Sequence, residues 1–162
     1  MGRPEHPHRR RGGRRRGVAR SRNPSSGAPV ILTSRHLAGA TLISVSGEVD
    51  TTTSAELECY IDQVRRRLDE HLIVDVSRLT FMDSSGLAVL LAAAALARVH
   101  GVALHVAGLQ PSPARLLEIT GARQAMVVHD DVEQAIAAAQ RAAAFPARLI
   151  APPGDGSFLR EG

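Results

Sequence analysis

The residues best equipped for chemistry stand in one run, Phe81-Met82-Asp83-Ser84-Ser85-Gly86-Leu87, where a carboxylate and two hydroxyls fall between two apolar stretches. Serine and aspartate oxygens accept bonds from the free N–H groups of a first helical turn, so the run can cap a helix and do nothing more. A serine at a strand-to-helix turn is also where hydrolases hold a nucleophile. That elbow, Gly-x-Ser-x-Gly, needs glycine at the Met82 position, and only His105 and His129 follow as candidate bases. A helix start can hold phosphate as well, but no Gly-x-x-x-x-Gly-Lys-Ser/Thr loop is present and the chain has no lysine.

The flanking segments must position this run. Leu72-Ile73-Val74-Asp75-Val76 reads as a strand covered on both faces, with Asp75 as a cap or tether for a neighbouring loop, and a helix from about Ser85 to Val99 follows. Gly101 and a strand over Val102 to Ala107 complete a strand-helix-strand unit, for which a right-handed parallel crossover is expected. Within the helix, Leu87, Leu90, Leu91 and Ala94 are core candidates, while Leu87 and Ala88 at its start are also candidates for an exposed partner contact.

Upstream, Val30 to Arg35 and Thr41 to Glu48 read as an antiparallel pair joined through Leu37-Ala38-Gly39-Ala40. Gly47-Glu48-Val49-Asp50 ends the second strand. A helix is then expected from about Thr53 to Glu70, capped by the Thr51-Thr52-Thr53-Ser54 cluster, with Leu57, Ile61, Val64 and Leu68 as its inward stripe. Arg65-Arg66-Arg67 suits the negative end of that helix. Downstream, Ser112 and Pro113 start a helix through Ile119 that Gly121 stops, a short strand spans Met126 to Val128, and a last helix runs from Asp130 or Asp131 to about Ala142. The sum is an α/β fold, an open mixed sheet of four to five strands, mostly parallel with an antiparallel first strand, covered by about four helices.

Composition narrows the function. The chain of 162 residues suits one domain, over residues 30–142, with an Arg-rich disordered tail over 1–29 and an irregular tail over 143–162. No apolar stretch reaches the roughly 20 residues of a membrane span, and no apolar segment follows the basic start, so a cytoplasmic location is expected. Cys59 stands alone as a filler or free thiol, and the seven histidines lack the short spacings of a metal site. No metal and no cofactor are expected.

The net charge of +4 hides a division. Residues 1–29 carry nine arginines against Glu5, a surplus of eight, which leaves the remainder at −4. Such a tail suits nucleic-acid phosphates, but it holds no aromatic residue to stack on bases. A solvated extension, or a stretch upstream of the true start, is the expected reading.

Two motifs, Gly47-Glu48-Val49-Asp50 after the second strand and Val74-Asp75-Val76-Ser77 leading through Leu79 to Phe81-Met82-Asp83-Ser84-Ser85-Gly86-Leu87, are separated by one amphipathic helix. With this order of elements, residues from about 30 to 142 resemble a STAS domain of the bacterial anti-sigma factor antagonist type. The resemblance implies that Ser84 is phosphorylated by a partner that is both a serine kinase and an anti-sigma factor. It matches Asp83 and Asp50 to acidic positions beside the acceptor and Ser85 to the second serine, with Gly86 and Leu87 as further supporting or partner-contact positions.

The resemblance also implies the cycle. The unmodified form binds the anti-sigma factor and frees a sigma factor that it does not itself touch, phosphorylation ends the binding, and a serine phosphatase resets it. The chain would then be no enzyme, its serine being another protein's substrate. Gly86 is expected to leave the backbone uncrowded beside Ser84, and the N–H groups of the helix start to favour the added phosphate. The alternatives are a scaffold of the same fold or a nucleotide-binding module, in a stress-signalling or transport assembly.

Overall fold

In the computed structural model, residues 19–20 and 29–145 are described. The elements run β1 (Ala19–Arg20), β2 (Ile31–Leu37), β3 (Ala40–Val49), α1 (Ser54–Val64), β4 (His71–Met82), α2 (Ser84–Val99), β5 (Leu104–Ala107), α3 (Pro111–Thr120), a 3-10 turn (Ala122–Ala125), β6 (Val127–His129) and α4 (Val132–Ala144). The strands form one sheet in sequence order. Five of them, β2 to β6, make the body, with β2 antiparallel to β3 and the rest parallel, and the two-residue β1 adds to the β2 edge, Arg20 opposite Ile31. The sheet is open and mixed with four α-helices, as the sequence predicts. Except for Ala19–Arg20, the basic tail lies outside the described residues, as does the C-terminal segment from 146.

Alternation along the strands separates two cores. Ile43, Val45, Leu72, Val74, Leu104 and Val106 face α1, α2 and α3 in the larger one. Ala40, Leu42, Ile73 and Ala107 face the other way, onto Ala135 and Ala139 of α4. Small residues on both sides of that contact let α4 lie close to the sheet.

His71, His105 and His129, on the ends or edges of β4, β5 and β6, share the α4 face and form a file. His105 Nδ1 lies 3.0 Å from His129 Nε2, and His105 Nε2 lies 3.3 Å from His71 Nδ1. The backbone N–H of Ala103 also donates to His71 Nδ1, at 3.2 Å. Burial, then repulsion from His71 and His129, pushes His105 down to about 4. Sequence spacing gave no sign of this grouping, yet among the described residues no set of three His, Cys, Asp or Glu side chains is arranged to hold a metal ion.

Three expected boundaries are corrected. Helix α1 ends at Val64, six residues short of Glu70, because Arg65 turns extended at ψ 111°. Leu68, expected on the inward stripe, is 44% exposed beyond the helix, and Tyr60 joins Leu57 and Ile61 inside. Strand β4 runs on past Val76 to Met82, with Val76, Leu79 and Met82 buried at intervals of three, because its register against β3 shifts twice. Helix α3 starts at Pro111 behind Gln110, so Ser112 is not its cap and Pro113 is a buried residue of its first turn.

Candidate functional site

The site is built where β3 and β4 end side by side. Val49 pairs with Met82 in parallel register, so the residues that follow, Asp50 and Asp83, leave the carboxyl ends of neighbouring strands. That edge is where open parallel sheets present ligands and partners. The Asp83 N–H donates to the Val49 carbonyl at 3.1 Å, which joins the two exits.

Asp83 is the N-cap of α2. One oxygen of its carboxylate accepts the N–H groups of Ser85 at 2.9 Å and Gly86 at 3.3 Å, together with the Ser85 hydroxyl. Capping therefore falls to Asp83, and Ser85 supports it by donating its hydroxyl to the same oxygen. Two N–H groups that the sequence left open for an incoming phosphate are already engaged. Ser84, the first residue of α2, is exposed, and its hydroxyl makes no hydrogen bond among the described residues. The two serines thus differ in state, one held and one free.

Asp50 is held as firmly. Its Oδ1 accepts the Thr52 N–H at 2.9 Å and the Thr52 hydroxyl at 2.6 Å. These bonds hold its carboxyl below the ordinary carboxylate range, the Thr52 hydroxyl contributing most. The expected threonine cap of α1 takes another form. Thr53 makes no side-chain cap bond; its buried hydroxyl accepts the Asp50 N–H at 3.0 Å and donates to the Glu48 carbonyl at 3.1 Å, while the Asp50 carbonyl accepts from Thr53 and Ser54. Thr53 braces the loop that aims Asp50.

Glycine has distinct work at two motif positions. Gly47 has φ 95°, and a Cβ there would meet the Pro29 carbonyl oxygen at 2.2 Å, so the bulge that turns β3 towards Asp50 requires glycine. Gly86 does not serve as clearance beside Ser84, as expected, because it is buried and faces inward. A Cβ on it would come within 2.7 Å of both Met82 Cγ and Val49 Cγ1, so its absence lets α2 seat on the two strand ends. Leu87 is likewise corrected. At 4% exposure it belongs to the core, and Ala88 is the exposed apolar residue at the helix start. Phe81, 42% exposed on the opposite face of β4 from Met82, is the larger apolar group near the rim.

The sequence offers two histidines as candidate bases for Ser84. His105 and His129, the two candidates in the sequence, are engaged with each other and with His71 on the α4 face. Asp75, inside β4, accepts the N–H of Ser77 in the same strand at 3.0 Å, a local bond rather than the expected tether to a neighbouring loop. Cys59 is an exposed free thiol on α1. No helix among the described residues is long and apolar enough to cross a membrane.

The STAS domain profile matches residues 32–135. An anti-sigma F factor antagonist of Paenibacillus polymyxa is 33% identical over 102 residues, which span 62% of this chain and 87% of that protein. An anti-sigma-B factor antagonist of Staphylococcus aureus is 29% identical over 91 residues, 56% of this chain and 84% of the relative. Among solved structures, that of an anti-sigma factor antagonist from Mycobacterium paratuberculosis superposes with a TM-score of 0.61 at 26% identity, covering 73% of this chain and 97% of that one.

Proposed function

Since the chain belongs to the STAS domain family, in its anti-sigma factor antagonist branch, we propose that its unmodified form binds an anti-sigma factor that is also a serine kinase. Binding frees a sigma factor that this chain does not contact, phosphorylation of Ser84 ends the binding, and a serine phosphatase restores it. The observation that carries the reading is the state of Ser84, an exposed hydroxyl with no hydrogen bond among the described residues, set at the carboxyl edge of the sheet.

Each neighbour has a part in that switch. Ser84 can enter a kinase cleft without disturbing the cap, because Asp83 and Ser85 hold α2 closed beside it. Gly86 and Leu87 support the rim from beneath, while Asp50 and Asp83 give it negative charge. Phosphate adds about −1.5 to −2 charge beside those carboxylates. A partner surface that accepts the two aspartates and a neutral hydroxyl then meets a dense anion. A hundredfold loss of affinity needs only about 2.8 kcal/mol, within the reach of repulsion and the desolvation of a buried phosphate. The fold need not rearrange. The serine is thus a substrate of the partner and the chain is no catalyst.

The test is to incubate the purified chain with its partner kinase and ATP and locate the phosphate by mass spectrometry. Label on Ser84, lost in Ser84→Ala and kept in Ser85→Ala, is the expected result. Label on Ser85 alone, or none, contradicts the assignment.

A further inference from the structure

His71, His105 and His129 form a file that the function proposed for the Ser84 edge does not use. Its bonds run in one direction. The Ala103 N–H donates to His71 Nδ1 at 3.2 Å, and a backbone N–H only donates, so that nitrogen carries the lone pair. His105 Nε2, 3.3 Å from the same atom, is then the donor between the two rings. In a neutral His105 the lone pair is left on Nδ1, which accepts from His129 Nε2–H at 3.0 Å. One backbone N–H thus sets all three tautomers.

The same geometry resists acid. A proton added to His71 must go to Nδ1, where it would face the N–H of Ala103 and the Nε2–H of His105. A proton added to His105 would face His129 Nε2–H unless His129 moved its own proton to its other nitrogen, and the charge would still be buried, His105 being 3% exposed. The charged groups around the file do not relieve this. Glu70 accepts from the Thr41 hydroxyl, and Arg67 pairs with Asp69 and is drawn to Glu70 as well. Asp75, on the same face of β4, takes the Ser77 N–H, Asp131 takes the Gln134 N–H, and Asp130 is exposed. From β3 that face receives Ala40 and Leu42, and from α4 the uncharged Val132, Ala135, Ile136 and Ala139, while Glu133 and Arg141 are exposed.

Helix α4 covers this face, and its hold is slight. Its buried residues are Ala135 and Ala139, set against Ala40, Leu42, Ile73 and Ala107. Alanine buries little apolar area, so α4 can leave the sheet more easily than α2, whose Leu87 and Leu90 lie in the larger core. Once it leaves, the rings meet water and are free to take up protons.

We propose that the file is an acid-sensitive latch, in which proton uptake by His71 and His105 releases α4 from the sheet while the larger core stays folded. The docked form keeps the rings neutral. Burial, then repulsion from its two neighbours, holds His105 at about 4 against an ordinary 6.5, and burial lowers His71 as well. The released form therefore binds more protons, and release grows as pH falls from 6.5 towards 4, about tenfold per pH unit for each extra proton. The latch lies on the face of the sheet opposite α1 and α2 and does not depend on the role of Ser84.

The test is hydrogen exchange of the full chain, followed by NMR at about pH 7.5 and about pH 5 and expressed as protection relative to an unstructured chain. Protection of the Ala139 N–H in α4 should fall at least about tenfold over that range, and at the lower pH it should lie at least about tenfold below that of Leu90 in α2. The double variant His71→Gln, His105→Gln, which keeps polar groups there but takes up no proton, should hold its Ala139 protection within about threefold across the range. Constant protection of Ala139 in the unaltered chain overturns the proposal. So does protection equal to that of Leu90, which would mean that α4 opens only with the whole domain. These two results are read without the variant and decide even if it does not fold; a fall of the same size in a folded variant also overturns the proposal.

Discussion

The Asp83 N–H donates to the Val49 carbonyl at 3.1 Å, so the cap of α2 and the exit of β3 are one unit. Through that bond the loop carrying Asp50 and the helix start carrying Ser84 share a footing on the same pair of strands. Disturbing either strand end should be felt at both.

Gly86 is the tightest point of that footing. A Cβ there would lie 2.7 Å from side-chain atoms of both Met82 and Val49, which are buried. Gly86→Ala should cost about 1–3 kcal/mol by overpacking, read as a lower urea midpoint with an unchanged slope. Neutral behaviour would mean that α2 is not seated as described.

Asp83 holds two first-turn N–H groups and a hydroxyl. Asp83→Ala should lose about 1 kcal/mol of stability, and Asp83→Asn, which keeps an acceptor oxygen, distinctly less. Thermal melts of the two variants separate a capping role from a charge role, because only the charge role predicts equal losses.

The end of α1 can be tested at Leu68. Helical spacing put it on the buried stripe, but the helix ends at Val64 and Leu68 is 44% exposed. Leu68→Ala should change stability by no more than about 0.5 kcal/mol. Leu57→Ala, at a site 2% exposed, should cost about 2–5 kcal/mol.

The histidine file makes stability depend on pH. His105 has a folded value of about 4 against an ordinary 6.5, so the unfolded chain takes up the proton first as pH falls. Its contribution is fully present above 6.5, is lost progressively as pH drops towards 4, and amounts to at most about 3 kcal/mol. His71, lowered by its own burial, acts in the same direction. Urea midpoints measured from neutral pH downwards should show the decline, and His105→Leu, which cannot take up a proton, should flatten it whatever its starting stability.

Much of this molecule was legible in its sequence because period-two and helical patterns are local. The antiparallel pair and the β4-α2-β5 unit follow from runs such as Leu72 to Val76. What was hidden depends on distant partners. The far half of β4 escaped because register shifts against β3 spread Val76, Leu79 and Met82 to intervals of three, which is not a strand period. His71, His105 and His129 escaped because they are 34 and 24 residues apart and meet only through the sheet. At the site, the motif does not give the division of labour among its residues. Whether Ser84 or Ser85 is bound, and whether Gly86 and Leu87 face in or out, is decided by the fit of α2 onto Val49 and Met82.

The central claim is that charge on Ser84 alone switches a docking surface. Calorimetric titration of the partner kinase with the unmodified and the Ser84-phosphorylated chain tests it most directly. The account predicts at least about a hundredfold weaker binding after phosphorylation, with an unchanged far-ultraviolet circular dichroism spectrum. Equal affinity of the two forms would contradict it.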